Sequence, residues 1–242
     1  MNDAINVLGI PFANLTFDET IELLDKRIRK EEKTFLVTAN PEIVMYSLGN
    51  PDYKEQLLKA DVVVPDGAGI VLASKLLGTP LKERVAGFDI SIRLLELAEK
   101  NGWKIFLLGG RKEANKKAIE YLRRTYPNLI IAGSHHGYFK NDHENIVKMI
   151  RETAPDIVFA ALGFPKQEDW VAKNIGEFSK GLFIGVGGTI DILAGEAKRA
   201  PYFWRKLNLE WLYRLIKQPS RWKRMLALPL FVAEVLKYRK RS

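Results

Sequence analysis

Two turns carry side chains suited to chemistry on a hydroxyl group. Thr38-Ala39-Asn40-Pro41-Glu42 closes the apolar run at 34–38 and offers a hydroxyl and an amide at a helix start, groups that suit the hydroxyls of a sugar. Asn40 can equally be a plain cap for the helix that Pro41 begins. Pro65-Asp66-Gly67-Ala68-Gly69 follows the run at 61–64. It sets a carboxylate where a general base on a substrate hydroxyl would stand, provided its surroundings bring the pKa towards working pH. The same letters spell an x-Pro-Asp-Gly-x turn, and spacing alone favours the turn. Two glycine-rich stretches follow other apolar runs: Leu108-Gly109-Gly110-Arg111 and Gly185-Val186-Gly187-Gly188-Thr189-Ile190-Asp191. Glycines between a strand and a helix let backbone N–H groups approach a phosphate. Neither stretch matches a dinucleotide or P-loop fingerprint, so alone they say little about a nucleotide. Between them, Lys166 and Gln167 in Gly163-Phe164-Pro165-Lys166-Gln167-Glu168 serve a nucleotide or diphosphate, or are simply solvated.

Other chemistries are absent from the sequence. There is no cysteine, which excludes disulfides, thiolate metal sites and a cysteine nucleophile and is compatible with a reducing compartment. His135, His136 and His143 have no companions at metal-ligand spacing, so no metal is assigned to them. No Asp-x-Asp offers a Mg²⁺–diphosphate clamp, and no Gly-x-Ser-x-Gly elbow suggests an α/β-hydrolase.

The elements that would hold these turns are apolar, β-branched runs at 34–38, 61–64, 104–108, 129–132, 156–160 and 182–186, with helix-period segments between them. Such a pattern predicts an α/β, Rossmann-like, mostly parallel sheet with helices on both faces. Thr16 and Glu19 fit a capping box, Asn50-Pro51 a helix start, and Gly102 a helix stop. In such sheets ligands bind beyond the carboxyl ends of the strands, where all four turns fall.

At 242 residues the chain suits one domain with a small appendage. Its charge is uneven. Residues 198–242 hold thirteen Lys/Arg against Glu210 and Glu234, a net +11, so residues 1–197 carry −2 of the total +9. This asymmetry divides the chain into a core, 1–196, and a basic helical appendage, 197–242. Arg221 and Arg224 share a helix face, and Trp211, Tyr213, Trp222 and the segment 226–232 add interfacial aromatics and apolar surface. An anionic membrane surface is the expected partner, because the aliphatic stretch 225–235 would gain nothing from nucleic acid. The first residues lack a signal-peptide layout and no apolar run reaches ~18 residues, so a chain that stays on the cytoplasmic side is expected.

Taken together, Thr38–Glu42, Pro65–Gly69, Arg84-Val85-Ala86-Gly87-Phe88-Asp89, Gly163–Glu168, Gly185–Gly188, Arg199-Ala200-Pro201, Glu210-Trp211 and Pro219-Ser220-Arg221-Trp222 resemble the WecG/TagA/CpsF glycosyltransferase family. The likeness runs from about residue 5 to 225. It implies inverting, metal-independent and cofactor-free transfer of N-acetylmannosamine from a UDP-sugar donor to undecaprenyl-diphosphate-linked N-acetylglucosamine, giving a β-1,4 disaccharide of the wall teichoic acid linkage unit. It also implies an enzyme held peripherally on the inner face of a bacterial plasma membrane, with homo-oligomerisation left open. Under this resemblance Asp66 becomes the general base. Thr38, Asn40, Arg84 and Gln167 line the sugar pocket. Gly109, Gly110, Lys166, Gly187, Gly188 and Asp191 complete substrate binding, and Arg214, Arg221 and Arg224 stabilise the leaving diphosphate. One branch of the family moves the uronic acid form of the sugar instead. A non-catalytic nucleotide-sugar binding module and a Rossmann oxidoreductase are the rivals from other classes.

Overall fold

The computed structural model describes residues 4–139, 143–219 and 222–241. Strands β1 (Ala4–Val7) and β2 (Ile10–Ala13) form an antiparallel hairpin, which leads through α1 (Phe17–Arg29) to β3 (Lys33–Ala39). Helices α2 (Pro41–Gly49) and α3 (Pro51–Leu58) precede β4 (Val62–Pro65), and α4 (Ala68–Leu76) and α5 (Gly87–Asn101) precede β5 (Lys104–Gly109). Then come α6 (Lys112–Thr125), β6 (Ile130–His135), α7 (His143–Thr153), β7 (Ile157–Ala161), α8 (Lys166–Asn174) and β8 (Gly181–Gly185). Five helices finish the chain: α9 (Thr189–Leu193), α10 (Tyr202–Lys206), α11 (Glu210–Lys217), α12 (Trp222–Met225) and α13 (Ala227–Arg241).

Strands β3 to β8 make one parallel sheet in the order β4-β3-β8-β7-β5-β6. All six predicted strands are in it. Alternate residues feed two separate cores, as a two-residue side-chain period requires. Phe35, Val37, Phe106, Val158 and Phe183 pack on one face. Leu36, Val64, Leu107, Phe159 and Ile184 pack on the other, beneath α1, α5 and α6. β7 and β8 are buried throughout, which explains their unbroken apolar sequence.

The predicted stops and starts hold with one change. Thr16 and Glu19 cap α1 reciprocally, and Gly102 ends α5 in the left-handed conformation. Asn50 stands at the start of α3 but makes no side-chain cap there; its Nδ2 donates to the Tyr46 carbonyl and closes α2 instead. The hairpin β1–β2 is an addition to the sequence reading. Its turn takes Leu8 and Gly9 at φ 53° and 85°, so an apolar residue stands where Asn or Asp would have signalled a tight hairpin.

The appendage is less uniform than its sequence suggests. Helix α13 lies on α2 and α4, with Phe231 and Val235 each 1% exposed inside the core on that face. The expectation that all of 226–232 is free apolar surface is therefore corrected at Phe231. Leu226, Leu230, Val232, Leu236 and Tyr238 do stay exposed, together with Tyr202, Phe203, Trp211, Ile216 and Trp222 on the preceding helices. Among the described residues no helix is long and apolar enough to cross a membrane.

Candidate active site

The turns with chemistry converge on the carboxyl edge of the sheet. Ala39 pairs with Pro65, and the Asp66 N–H donates to the Ala39 carbonyl (2.9 Å), carrying the β3–β4 ladder one residue past the strands. The Val85 N–H binds the Pro65 carbonyl (2.9 Å), bringing the start of α5 alongside. Asp66 Oδ2 accepts from the Gly87 N–H (3.3 Å), so the carboxylate stands at the positive end of α5. Gly87 is needed there for closeness: a Cβ would lie 2.6 Å from Thr38 Oγ1. Thr38, Asp66 and the α5 N-terminus thus form one corner.

Asn40 is indeed a helix cap, its Oδ1 accepting from the Ile43 N–H (3.0 Å). That bond uses the carbonyl oxygen and not the amide nitrogen. Capping and sugar binding are compatible for this residue.

The Arg84–Asp89 segment is where the appendage docks. Arg84 lies 3.5 Å from Glu210 and from Asn208, and Arg199 pairs with Asp89 at 2.6 Å while its guanidinium stacks over the Phe88 ring at 4.5 Å. Arg84 and Glu210 are largely shielded, so this pair is less screened than a surface one. Arg224 lies 3.5 Å from Glu42, in the first turn of α2 and two residues from Asn40. The appendage therefore reaches the first turn of α2 through Arg224. Arg214 lies on α11, and Arg221 falls outside the described residues.

A second cluster occupies the neighbouring strands. Gln167 is buried at the start of α8, and its Oε1 accepts from the Gly187 N–H (3.1 Å) just past β8. Gly187 and Gly188 have open space where side chains would be, while the Gly187 N–H is taken by Gln167. Gly109 has φ +129°, and a Cβ on it would strike the Ala161 carbonyl, so only glycine fits between β5 and β7. Gly110 packs on Ile190 of α9. Asp191 follows on that helix, its carboxyl raised above the usual range by burial and by Glu196, with Arg111 opposing. Lys166 is exposed at the start of α8, next to Gln167. A cleft of about 330 Å³ lined by Lys112, Lys116, Arg123, His135 and His136 runs along α6 beyond β6, away from Asp66.

Asp89, Arg199, Glu42 and Glu210 lie within the motifs that carry the resemblance, but their pairing has no signal in the sequence, because opposite charges far apart in the chain reveal it only in space. Glu168 is the clearest omission. It is 2% exposed, and burial raises its pKa to about 7. Beyond its place at the end of the Gly163–Glu168 motif, its sequence signal is that Gln167 and Glu168 share a helix face with Trp170, Val171 and Asn174, all buried.

A family model described as the glycosyl transferase WecG/TagA/CpsF family matches residues 5–242. A Bacillus spizizenii protein named N-acetylglucosaminyldiphosphoundecaprenol N-acetyl-beta-D-mannosaminyltransferase is 42% identical over 208 residues, 86% of this chain and 80% of the relative. Proteins of the same name from Staphylococcus aureus strains MW2 and MRSA252 are each 37% identical over 239 residues, 98% of this chain and 94% of theirs.

Proposed function

Since the chain belongs to the WecG/TagA/CpsF glycosyltransferase family, we propose that it moves N-acetylmannosamine from UDP to the 4-hydroxyl of N-acetylglucosamine on undecaprenyl diphosphate. The relatives' name gives the acceptor and the sugar, and coverage of 80% or more of both chains supports carrying it over. One structural observation supports the chemistry: a carboxylate, Asp66, stands at the strand edge beside Thr38, held by the Gly87 N–H, while the appendage reaches the neighbouring helix α2 through Arg224.

The proposed reaction is a single displacement. Asp66 takes the proton from the acceptor hydroxyl as its oxygen attacks the anomeric carbon. The bond from that carbon to the UDP oxygen breaks, UDP leaves with the electron pair, and the anomeric configuration inverts. Thr38, Asn40, Arg84 and Gln167 bind the sugar, and the Gly109–Gly110 and Gly187–Gly188 backbones and Asp191 hold the nucleotide. Arg214, Arg221 and Arg224 spread the charge developing on the diphosphate, the role a metal fills elsewhere; forked guanidinium–phosphate bonds suit it. The exposed aromatic and aliphatic side chains of the appendage, set among its basic residues, suit an anionic lipid surface, where the acceptor resides.

The test offers UDP-N-acetylmannosamine, or its uronic acid form, to the full chain with a short-chain lipid-diphosphate N-acetylglucosamine. Mass spectrometry should show one added N-acetylhexosamine and equimolar UDP with the first donor. Transfer of the uronic acid alone, or UDP binding without transfer, would contradict the proposal.

A further inference from the structure

The least expected group in the molecule is the buried carboxyl of Glu168. Its Oε1 accepts from Gln167 Nε2 at 2.7 Å, while Oε2 is buried without a hydrogen-bond partner. The Tyr53 hydroxyl, buried beside it on α3, faces this carboxyl without a well-formed hydrogen bond of its own; burial raises the Tyr53 pKa above its usual range, and their interaction raises it further. Asp169 is the other charged group facing this carboxyl, and Tyr46 the further phenol near Tyr53. A half-satisfied buried carboxyl costs stability, and an apolar residue of similar volume would commonly do better. A carboxyl placed there calls for a role other than stability.

Geometry supplies one. The Gln167 amide is the bridge between Glu168 and the Gly187 N–H. An amide has an oxygen end and a nitrogen end, and turned the wrong way it would face the Gly187 N–H with its own N–H groups. Oε1 of Glu168 accepts in either protonation state, so it fixes the nitrogen end toward itself and the oxygen end toward Gly187. The strand end is moulded to this pair: a Cβ on Gly185 would lie 2.6 Å from Gln167 Nε2 and 3.1 Å from Glu168 Oε1.

We propose that Glu168 is a positioning residue for the donor side of the site: it sets the Gln167 amide, and through it holds the Gly187–Gly188 turn open to the phosphates of a nucleotide sugar. The identity of that ligand rests on the function proposed above; the positioning does not.

The test uses the full chain with Glu168→Leu, Glu168→Gln and Gln167→Leu. Loss of one buried hydrogen bond predicts a rise of about tenfold in donor KM for Glu168→Leu, with kcat changed less than about threefold. Its melting temperature should match or exceed the parent's. Amide exchange at Gly187, measured without substrate, should accelerate by about tenfold, and Gln167→Leu should accelerate it as much. Glu168→Gln, which keeps an acceptor oxygen, should restore most of both the KM and the exchange protection. Parent-like exchange at Gly187 in both Leu variants would overturn the proposal, as would a Glu168→Gln variant as impaired as Glu168→Leu. A fall in melting temperature with KM and kcat worsened together would mark a structural residue and overturn it too. If the parent transferred no sugar, the proposed function would fail while the exchange result still decided the positioning role.

Discussion

The division of labour on helix α13 can be separated with two adjacent substitutions. Phe231 is 1% exposed and Leu230 57% exposed, so neighbours in sequence face opposite environments. Phe231 and Val235 anchor the helix on α2 and α4. Burying two such side chains contributes roughly 3–6 kcal/mol, and Phe231→Ala forfeits roughly 3–5 kcal/mol once the cavity is included. The loss is comparable to the whole anchorage, so α13 should detach before the sheet unfolds. Hydrogen exchange should show amides of 227–241 losing protection while β3 and β8 keep theirs. Leu230→Ser should shift stability by no more than about 0.5 kcal/mol, because the side chain packs on little. It should instead weaken co-sedimentation with anionic vesicles. Parent-like protection of α13 in Phe231→Ala, or equal destabilisation by Leu230→Ser, would refute the assignment of the two faces.

Two further predictions concern charge, one on a buried carboxyl and one on the leaving diphosphate. The Glu168 carboxyl has its pKa raised from 4.5 to about 7 by burial, so the folded state holds a proton that the unfolded state releases between those values. Stability should therefore fall as pH rises from 4.5 to 7 and remain lower above it, by roughly 3 kcal/mol relative to Glu168→Gln; a parent-to-variant difference that does not change between pH 4 and 8 in urea titrations would contradict this. If arginines neutralise the diphosphate, transfer should continue in EDTA; loss of activity restored by Mg²⁺ or Mn²⁺ would contradict it.

The sheet was legible because buried parallel strands must be apolar on both faces, and each run at 34–38, 104–108 and 182–186 says so without help from context. The hairpin was not, since Leu8 occupies a turn position where its side chain carries no turn signal. Asp66 illustrates an ambiguity that spacing cannot remove. A carboxylate after a strand, before Gly, makes a turn and can still present its oxygen at a helix N-terminus. Asn40 likewise caps a helix and borders the site at once. Phe231 was misread for a different reason: residues 226–236 are apolar around most of the helix, so periodicity cannot tell the face on the core from the face left bare. Glu168 was hidden because Lys166-Gln167-Glu168-Asp169 reads as a solvated helix start, and only the packing of α8 turns two of those four inward.

The central claim is that Asp66, fixed at the carboxyl edge of the sheet, is the base of a sugar transfer. The most direct measurement is the turnover of Asp66→Asn with UDP-N-acetylmannosamine and a short-chain lipid-diphosphate N-acetylglucosamine, alongside its affinity for UDP. Asparagine retains an oxygen for the Gly87 N–H but cannot take the proton, so turnover should fall by ~10²–10⁴-fold with UDP affinity within about threefold of the parent's. Parent-like turnover would return Asp66 to the role of a turn residue and contradict the mechanism built on it.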